Sequence, residues 1–453
     1  MKAVSKGWNL RSTHFWIRLL TWVFALSMAF DFRAGEEGGS AIQFLFLGAA
    51  MGSGLCIAVL GYRAILMKPG FYLVAFWSAY IAFVTISSFI NGVAPGNMFR
   101  VILPYLLVLI GMVVSQVVAG SGMSMKTVLV PLLICAVVNT VWRVIYGFTA
   151  LGLTLSTVRY EILSPVLPWS FAFIGLALAL APRFSAAPIF VAASAFGCVF
   201  LSVTRGLLFP MAASFVMVTI CAFCGAGWNV IQPKELAKKL PGAAGIAGVI
   251  VLLMVVVGVA NPTVVERWTD RLFDNSGGGA TTKDVSILTR EAEAVAMLHI
   301  LKSEPGTFVY GQGMGANYYW DPSFYPELHL VWPDDYDFSG DYWFAGHSIW
   351  TYAIFTGGFI GLFFHLGFFG GIVWSSFSAA KRLGLAAKRR GYFDPEAFLA
   401  FLPAVTVLCV LSQSATSNYF GERLGGLVFG LMAGFPQFFH YRARILSEQH
   451  PPI

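Results

Sequence analysis

Charge is what this chain has least of. Only 11% of its 453 residues are charged, less than half the ~25% of an ordinary soluble domain. Hydrophobic residues make up 57% and mean hydropathy is +0.73. That much apolar surface has no place in a water-soluble core, so the surrounding solvent is lipid. The formal net charge of +7 therefore carries no nucleic-acid signal until its distribution is known. Cysteine is also sparse. Cys56, Cys135, Cys198, Cys221, Cys224 and Cys409 all lie in apolar runs, which excludes a disulfide framework. Cys221-x-x-Cys224 has the spacing of a metal or redox pair but lacks a second pair, and reads as two small apolar residues. Internal repeats and low-complexity tracts are absent.

A helix needs ~20 apolar residues to cross a bilayer. Twelve stretches qualify as candidate spans: about 14–31, 41–60, 71–90, 101–119, 127–148, 166–181, 187–203, 207–227, 243–260, 348–374, 398–416 and 424–440. The expected fold is an all-α polytopic membrane protein of about twelve helices. A nine-span membrane domain (1–260) precedes one large polar segment (261–347, part helical), and a three-span membrane domain follows (348–453).

Basic residues set the orientation, because they concentrate on cytoplasmic connections. With the N-terminus inside, eighteen of the 29 Lys and Arg residues fall on the inner side, against four of the 22 acidic ones. Both termini are then cytoplasmic and segment 261–347 lies on the far side. The first span has a basic flank but no small-x-small cleavage site before Asp31, and reads as a retained anchor.

The inner side mixes lysine with arginine, whereas nine of the eleven outer cations are arginine: Arg33, Arg100, Arg143, Arg159, Arg205, Arg267, Arg271, Arg290 and Arg423. A guanidinium grips phosphate oxygens two at a time and keeps its proton, so this bias points to an anionic ligand. The alternative is pairing with the outer carboxylates or with headgroups. Arg205 stands out in "LSVTRGLLFP", a hairpin of a few residues with no acidic neighbour. Arg290 leads "SILTREAEAVAMLHILKSEPG", a helix ended by Pro305-Gly306. At 100° per residue it falls between Met297 and Leu301 on an apolar strip, with Glu291 and Glu293 pointing elsewhere.

Three motifs, in this order and on this side of the membrane, resemble the O-antigen ligase and polymerase superfamily of bacterial envelope glycosyltransferases. They are "SVTRG", "TREAEAVAMLHILKSEPGTFVYGQGMGANY" and "GHSIWTYAIFTGGFIG". The topology, about twelve spans with one large outer loop late in the chain, is similar too. The resemblance implies a GT-C-like, inverting, metal-independent transfer without a cofactor, at the periplasmic face of the bacterial inner membrane. The donor would be a glycan on undecaprenyl pyrophosphate. The acceptor would be a sugar hydroxyl, of lipid A-core in a ligase or of a growing O-antigen or exopolysaccharide in a polymerase. Arg205 and Arg290 match the pyrophosphate-binding positions and His347 the catalytic one. Arg159, Ser348 and Tyr319 are further candidates for substrate binding. Ser348 departs from the asparagine that often follows the histidine in that family.

The residue types suit this chemistry on their own terms. Fixed guanidinium groups neutralise a departing pyrophosphate. The acceptor hydroxyl is a poor nucleophile and gains from a base such as imidazole. His299 and His329 share the loop as competitors, with His299 expected to pack. Eleven aromatic residues between Tyr318 and Phe344 suit sugar stacking and the membrane interface equally. "PDDYDFSGDYWFAG" begins like a calcium loop, but Gly346 stands where the bidentate Glu belongs. Asp335 and Asp337 have the spacing of a metal-nucleotide motif on the side without sugar nucleotides. "GQGMG" lacks a βαβ setting and reads as a turn beneath the site. Asp31, Glu36 and Glu37 are a weak cation candidate. The rival class is a lipid-linked sugar transporter or flippase, which would carry ionisable groups at the bilayer midplane. A hydrolase is a third.

Overall fold

The computed structural model describes residues 10–32, 41–155, 157–158, 160–180, 186–232, 234, 245, 248, 251–252, 254–256, 258–273, 285–304, 306–330, 342–414 and 417–448. Helices follow the apolar runs: α1 (Leu10–Leu26), α2 (Ala41–Leu60), α3 (Gly70–Ile90), α4 (Pro95–Gly120), α5 (Lys126–Thr149), α6 (Leu167–Leu180), α7 (Ala186–Ser202) and α8 (Leu208–Gly227). The polar segment contributes α9 (Pro262–Phe273) and α10 (Val285–Ser303), then a two-stranded hairpin of β1 (Tyr318–Tyr319) and β2 (Tyr342–Trp343). The chain closes with α11 (Ile349–Arg389), α12 (Leu402–Gln413), α13 (Arg423–Gly434) and α14 (Pro436–Glu448). Among the described residues, seven helices are long and apolar enough to cross a membrane, and two shorter apolar helices accompany them. The protein is an all-α membrane protein.

Two elements depart from the sequence reading. The run expected to end at 374 continues to Arg389 and is broken inside at Gly358 (φ 60°, ψ −156°). The last expected span, 424–440, is interrupted at Phe435 between α13 and α14, where Pro436 has no N–H to continue the ladder.

The tightest contact is between α13 and α4. Gly426, Gly430 and Gly434 recur every four residues on one face of α13. A Cβ on each would lie 2.2 Å from Pro104 O, 2.3 Å from Val108 O and 2.6 Å from Met112 O. Lipid tails are as apolar as leucine, so helices in a bilayer gain by letting backbones approach through small residues. Trp77, Tyr80, Tyr105 and Phe420 fill the adjoining core and surround the fully buried His365.

Candidate functional site

The break in α11 is where the site begins. Gly357-Gly358 interrupts the helix and releases the carbonyls of Phe355 and Thr356 from the ladder. The turn 311–315 meets them: Gln312 N–H donates to Phe355 O at 2.7 Å and Gly313 N–H to Thr356 O at 2.9 Å. That turn has positive φ at Gly311, Gly313 and Gly315, so "GQGMG" forms a turn, as expected. It also rests on the end of α3, where Ser87 and Asn91 donate to Gly311 O. The chain after α10 is thereby tied to the start of α11.

His347 stands just before α11. Ser348 is the N-cap, its Oγ accepting from Thr351 N at 3.5 Å, as an N-cap hydroxyl does. Ser348 is buried, which gives it a backbone role at the helix start. Phe344 O accepts from Tyr352 Oη at 2.9 Å and Ala345 O from Tyr318 Oη at 3.0 Å. Two phenols thus hold the approach to His347 from either side.

The decisive contact was not expected. Glu293, on α10, is 1% exposed, and its carboxylate takes His347 with both oxygens. Oε1 accepts the backbone N–H at 2.7 Å and Oε2 lies 2.6 Å from Nδ1. Glu293 therefore faces the site, correcting its placement on another face of the helix. It sits three residues after Arg290, only about 60° away around the helix, so the two share a face. The strip itself is as expected, with Met297 and Leu301 each 1% exposed. Tyr318 lies beside both charges. Burial first, then the Glu293 carboxylate, hold its phenol well above the ordinary range although Arg290 pulls it down.

If Nδ1 carries the hydrogen it donates to Glu293 Oε2 and leaves the Nε2 lone pair for another partner; the imidazole side chain is 36% exposed. The carboxylate orients the ring, and an imidazole held in this way could serve as a base.

Arg205 opens the 205–207 turn before α8. Val203, just upstream, has φ 49°, an outlier for a β-branched residue. Such strain marks a turn that its surroundings impose. α8 packs on α12, with Cys409 Sγ donating to Pro210 O at 3.4 Å. At the end of α12, Ser414 accepts from Ile349 N at 3.0 Å and from Trp350 Nε1 at 2.6 Å. Arg205 is thus at the same end of the bundle as His347, with α12 between their helices.

The remaining outer arginines whose side chains are described sort into two groups, and the Arg271 side chain lies outside the description. Arg143 is 2% exposed and donates to Glu422 and to Leu163 O, each at 2.6 Å. Arg423 faces Asp31 at 3.8 Å, so the Asp31 carboxylate already has a cation. Arg267 donates to Leu155 O and Val158 O. These three hold structure. Arg100 belongs with the site: its guanidinium lies 5.5 Å from the Phe344 ring centre, three residues from His347. Arg33, Arg159, Glu36, Glu37, Asp335 and Asp337 lie outside the described residues.

The aromatic hairpin flanks the same region. Tyr319 packs between Phe324 and Tyr342, and Trp320 stacks on Trp343 at 5.6 Å. His299 stacks on Phe324 at 3.7 Å, in keeping with a packing role. No group of three or more His, Cys, Asp or Glu side chains among the described residues could hold a metal ion. No protein-family model matches the chain, and no curated protein matches it.

Proposed function

We propose that the protein is a glycosyltransferase that moves a glycan from undecaprenyl pyrophosphate to an acceptor sugar hydroxyl. In this reading it is of the O-antigen ligase type, with lipid A-core as acceptor. It works at the periplasmic face of the bacterial inner membrane, with both termini cytoplasmic. The single observation that carries the reading is the double grip of Glu293 on His347, one helical turn from Arg290.

The reaction uses each group once. The acceptor hydroxyl oxygen attacks the anomeric carbon as its proton passes to His347 Nε2. The bond from that carbon to the pyrophosphate oxygen breaks, its electron pair leaves with the pyrophosphate, and the configuration inverts. Arg290 and Arg205 neutralise the charge that grows on the leaving group, as preorganised donors do best where water is excluded. Glu293 steadies the imidazolium until its proton returns to solvent. A base of this kind contributes roughly 10²–10⁴ in rate.

A lipid-borne donor also needs somewhere for its tail. An apolar groove of about 510 Å³ is lined by Trp350 from before the Gly358 break and by residues such as Leu366, Phe369 and Trp374 from after it, with the Trp350 and Phe369 rings 6.1 Å apart. Trp350 is three residues from His347, which fits a carrier whose headgroup reaches the base while its chain stays in lipid.

The test is direct. Purified full-length protein in lipid vesicles receives an undecaprenyl-pyrophosphate glycan and a lipid A-core acceptor. A new glycosidic bond to the acceptor supports the ligase. Chain extension of the glycan points to a polymerase of O-antigen or exopolysaccharide units. Translocation without bond formation, or glycan released to water, refutes the transferase.

A further inference from the structure

A second site lies at the C-terminal end of α11, with the Gly358 break between it and His347 in the chain. There the last turns of α11 meet α14, the end of α4 and the link 67–69 around a cavity of about 420 Å³, a size typical of ligand pockets. Lys68, Arg382, Arg389 and Arg444 line it, and no Asp or Glu does. The bias of basic residues to one side of a membrane protein would bring cations here, but it does not require a cavity between them.

The neighbouring carboxylates are engaged by Arg442 and by Arg444, which leaves the other three lining cations. Arg442, on the same helix, takes Asp394 at 3.2 Å and Glu396 at 3.0 Å. Glu448 meets Arg444 at 2.6 Å. Among the described residues no carboxylate faces Lys68, Arg382 or Arg389, and Lys68 lies over the Tyr72 ring at 5.3 Å. The buried lining residues point the same way. Gln437 and His440 are 6% and 8% exposed. Gln437 Nε2 and His440 Nδ1 have no hydrogen-bond partner, although Ser375 Oγ lies 3.3 Å from His440 Nε2. Gln437 Nε2 is a buried donor without an acceptor, which is costly in a finished fold.

What is missing is an acceptor that carries negative charge and offers several oxygens to a ring of cations. We infer that this cavity binds a phosphate-bearing anion, held by Arg382, Arg389 and Lys68 at its rim and by Gln437 within. Two guanidinium forks fit phosphate oxygens better than a single carboxylate, and basic pockets between membrane helices suit anionic headgroups. The same chemistry is offered by a phospholipid headgroup and by a free phosphate. No residue of the His347 site takes part, so this inference stands or falls apart from the proposed transferase.

The experiment uses the full-length protein in an uncharged detergent. It is titrated separately with short-chain phosphatidylglycerol, short-chain phosphatidylcholine and inorganic phosphate, following native mass spectra and the thermal unfolding midpoint. Saturable binding of phosphatidylglycerol, at least tenfold weaker in the R382Q/R389Q double variant, is expected. Saturation by phosphatidylglycerol alone identifies a lipid headgroup as the source, and saturation by inorganic phosphate as well identifies a free-anion site. Equal binding of phosphatidylcholine, no saturable binding of either anion, or undiminished binding in the double variant overturns the inference. Gln437→Leu keeps every charge and removes the buried donor. If the double variant fails to fold, unchanged affinity in Gln437→Leu is the overturning result.

Discussion

The Glu293 carboxylate holds His347 at two points, the backbone N–H at 2.7 Å and the ring Nδ1 at 2.6 Å. One contact fixes where the residue sits and the other fixes which nitrogen keeps the hydrogen. If His347 is the base, Glu293→Gln retains most of the shape but can present its amide N–H to Nδ1, favouring the wrong tautomer. Transfer by Glu293→Gln is expected to fall roughly 10²- to 10⁴-fold, close to His347→Ala. Because the two act as one unit, the double variant should lose little more than either single one. Initial rates with lipid-linked donor measure this. Losses that multiply in the double variant would show that the two residues act separately.

The arginines make a different forecast. Arg205→Lys and Arg290→Lys keep a positive charge and lose the fork. If these residues carry the leaving pyrophosphate, each is expected to lower kcat/KM for the donor by on the order of 10²-fold, with the acceptor KM nearly unchanged. Arg267→Lys, remote in role because it clamps Leu155 O and Val158 O, should act on thermal stability instead. Steady-state kinetics with donor and acceptor varied in turn separates the two classes.

The helices were legible because lipid enforces one simple rule: long apolar runs become helices, since no other backbone satisfies its own hydrogen bonds there. Their interruptions were not. Nothing local in "IFTGGFIG" says that the helix breaks at Gly358. The break is stable because Gln312 and Gly313 donate to the freed carbonyls of Phe355 and Thr356, and that partnership spans some forty residues. The buried strip beside Arg290 was legible, Met297 and Leu301 each being 1% exposed. Glu293 was misread because it lies at the edge of the strip and not on its centre line. Its proximity to Arg290 around the helix was the available signal, and its partner 54 residues away was not. Ser348 looked like a ligand and serves as an N-cap, a role visible only once the helix start is known.

Gly358 tests the link between that break and the site. Its backbone lies in a region that only glycine enters readily, and a Cβ there would sit 2.4 Å from Val309 O. Gly358→Ala is expected to cost on the order of 3 kcal/mol, or to straighten α11 and pull the 311–315 turn from its carbonyls. Either outcome lowers the thermal midpoint, and the second also removes activity from the protein that remains folded. A variant as stable and active as the parent would mean that the break has no part in shaping the site.

The glycine face of α13 sets the last expectation, which concerns the scaffold alone. Gly430→Ala would place a methyl 2.3 Å from Val108 O, against backbone that has no rotamer to yield. The helices must move apart, and overpacking of this kind costs roughly 1–3 kcal/mol. Gly370→Ala is the matched control: it lies within α11 with nothing within 4 Å of the added Cβ, so it should be neutral or gain up to about 1 kcal/mol of helix propensity. In the same detergent the thermal midpoint of Gly430→Ala should therefore fall below the parent's while that of Gly370→Ala stays level or rises. If Gly430→Ala is as well tolerated as Gly370→Ala, then α13 and α4 are held together by something other than their close backbone contact.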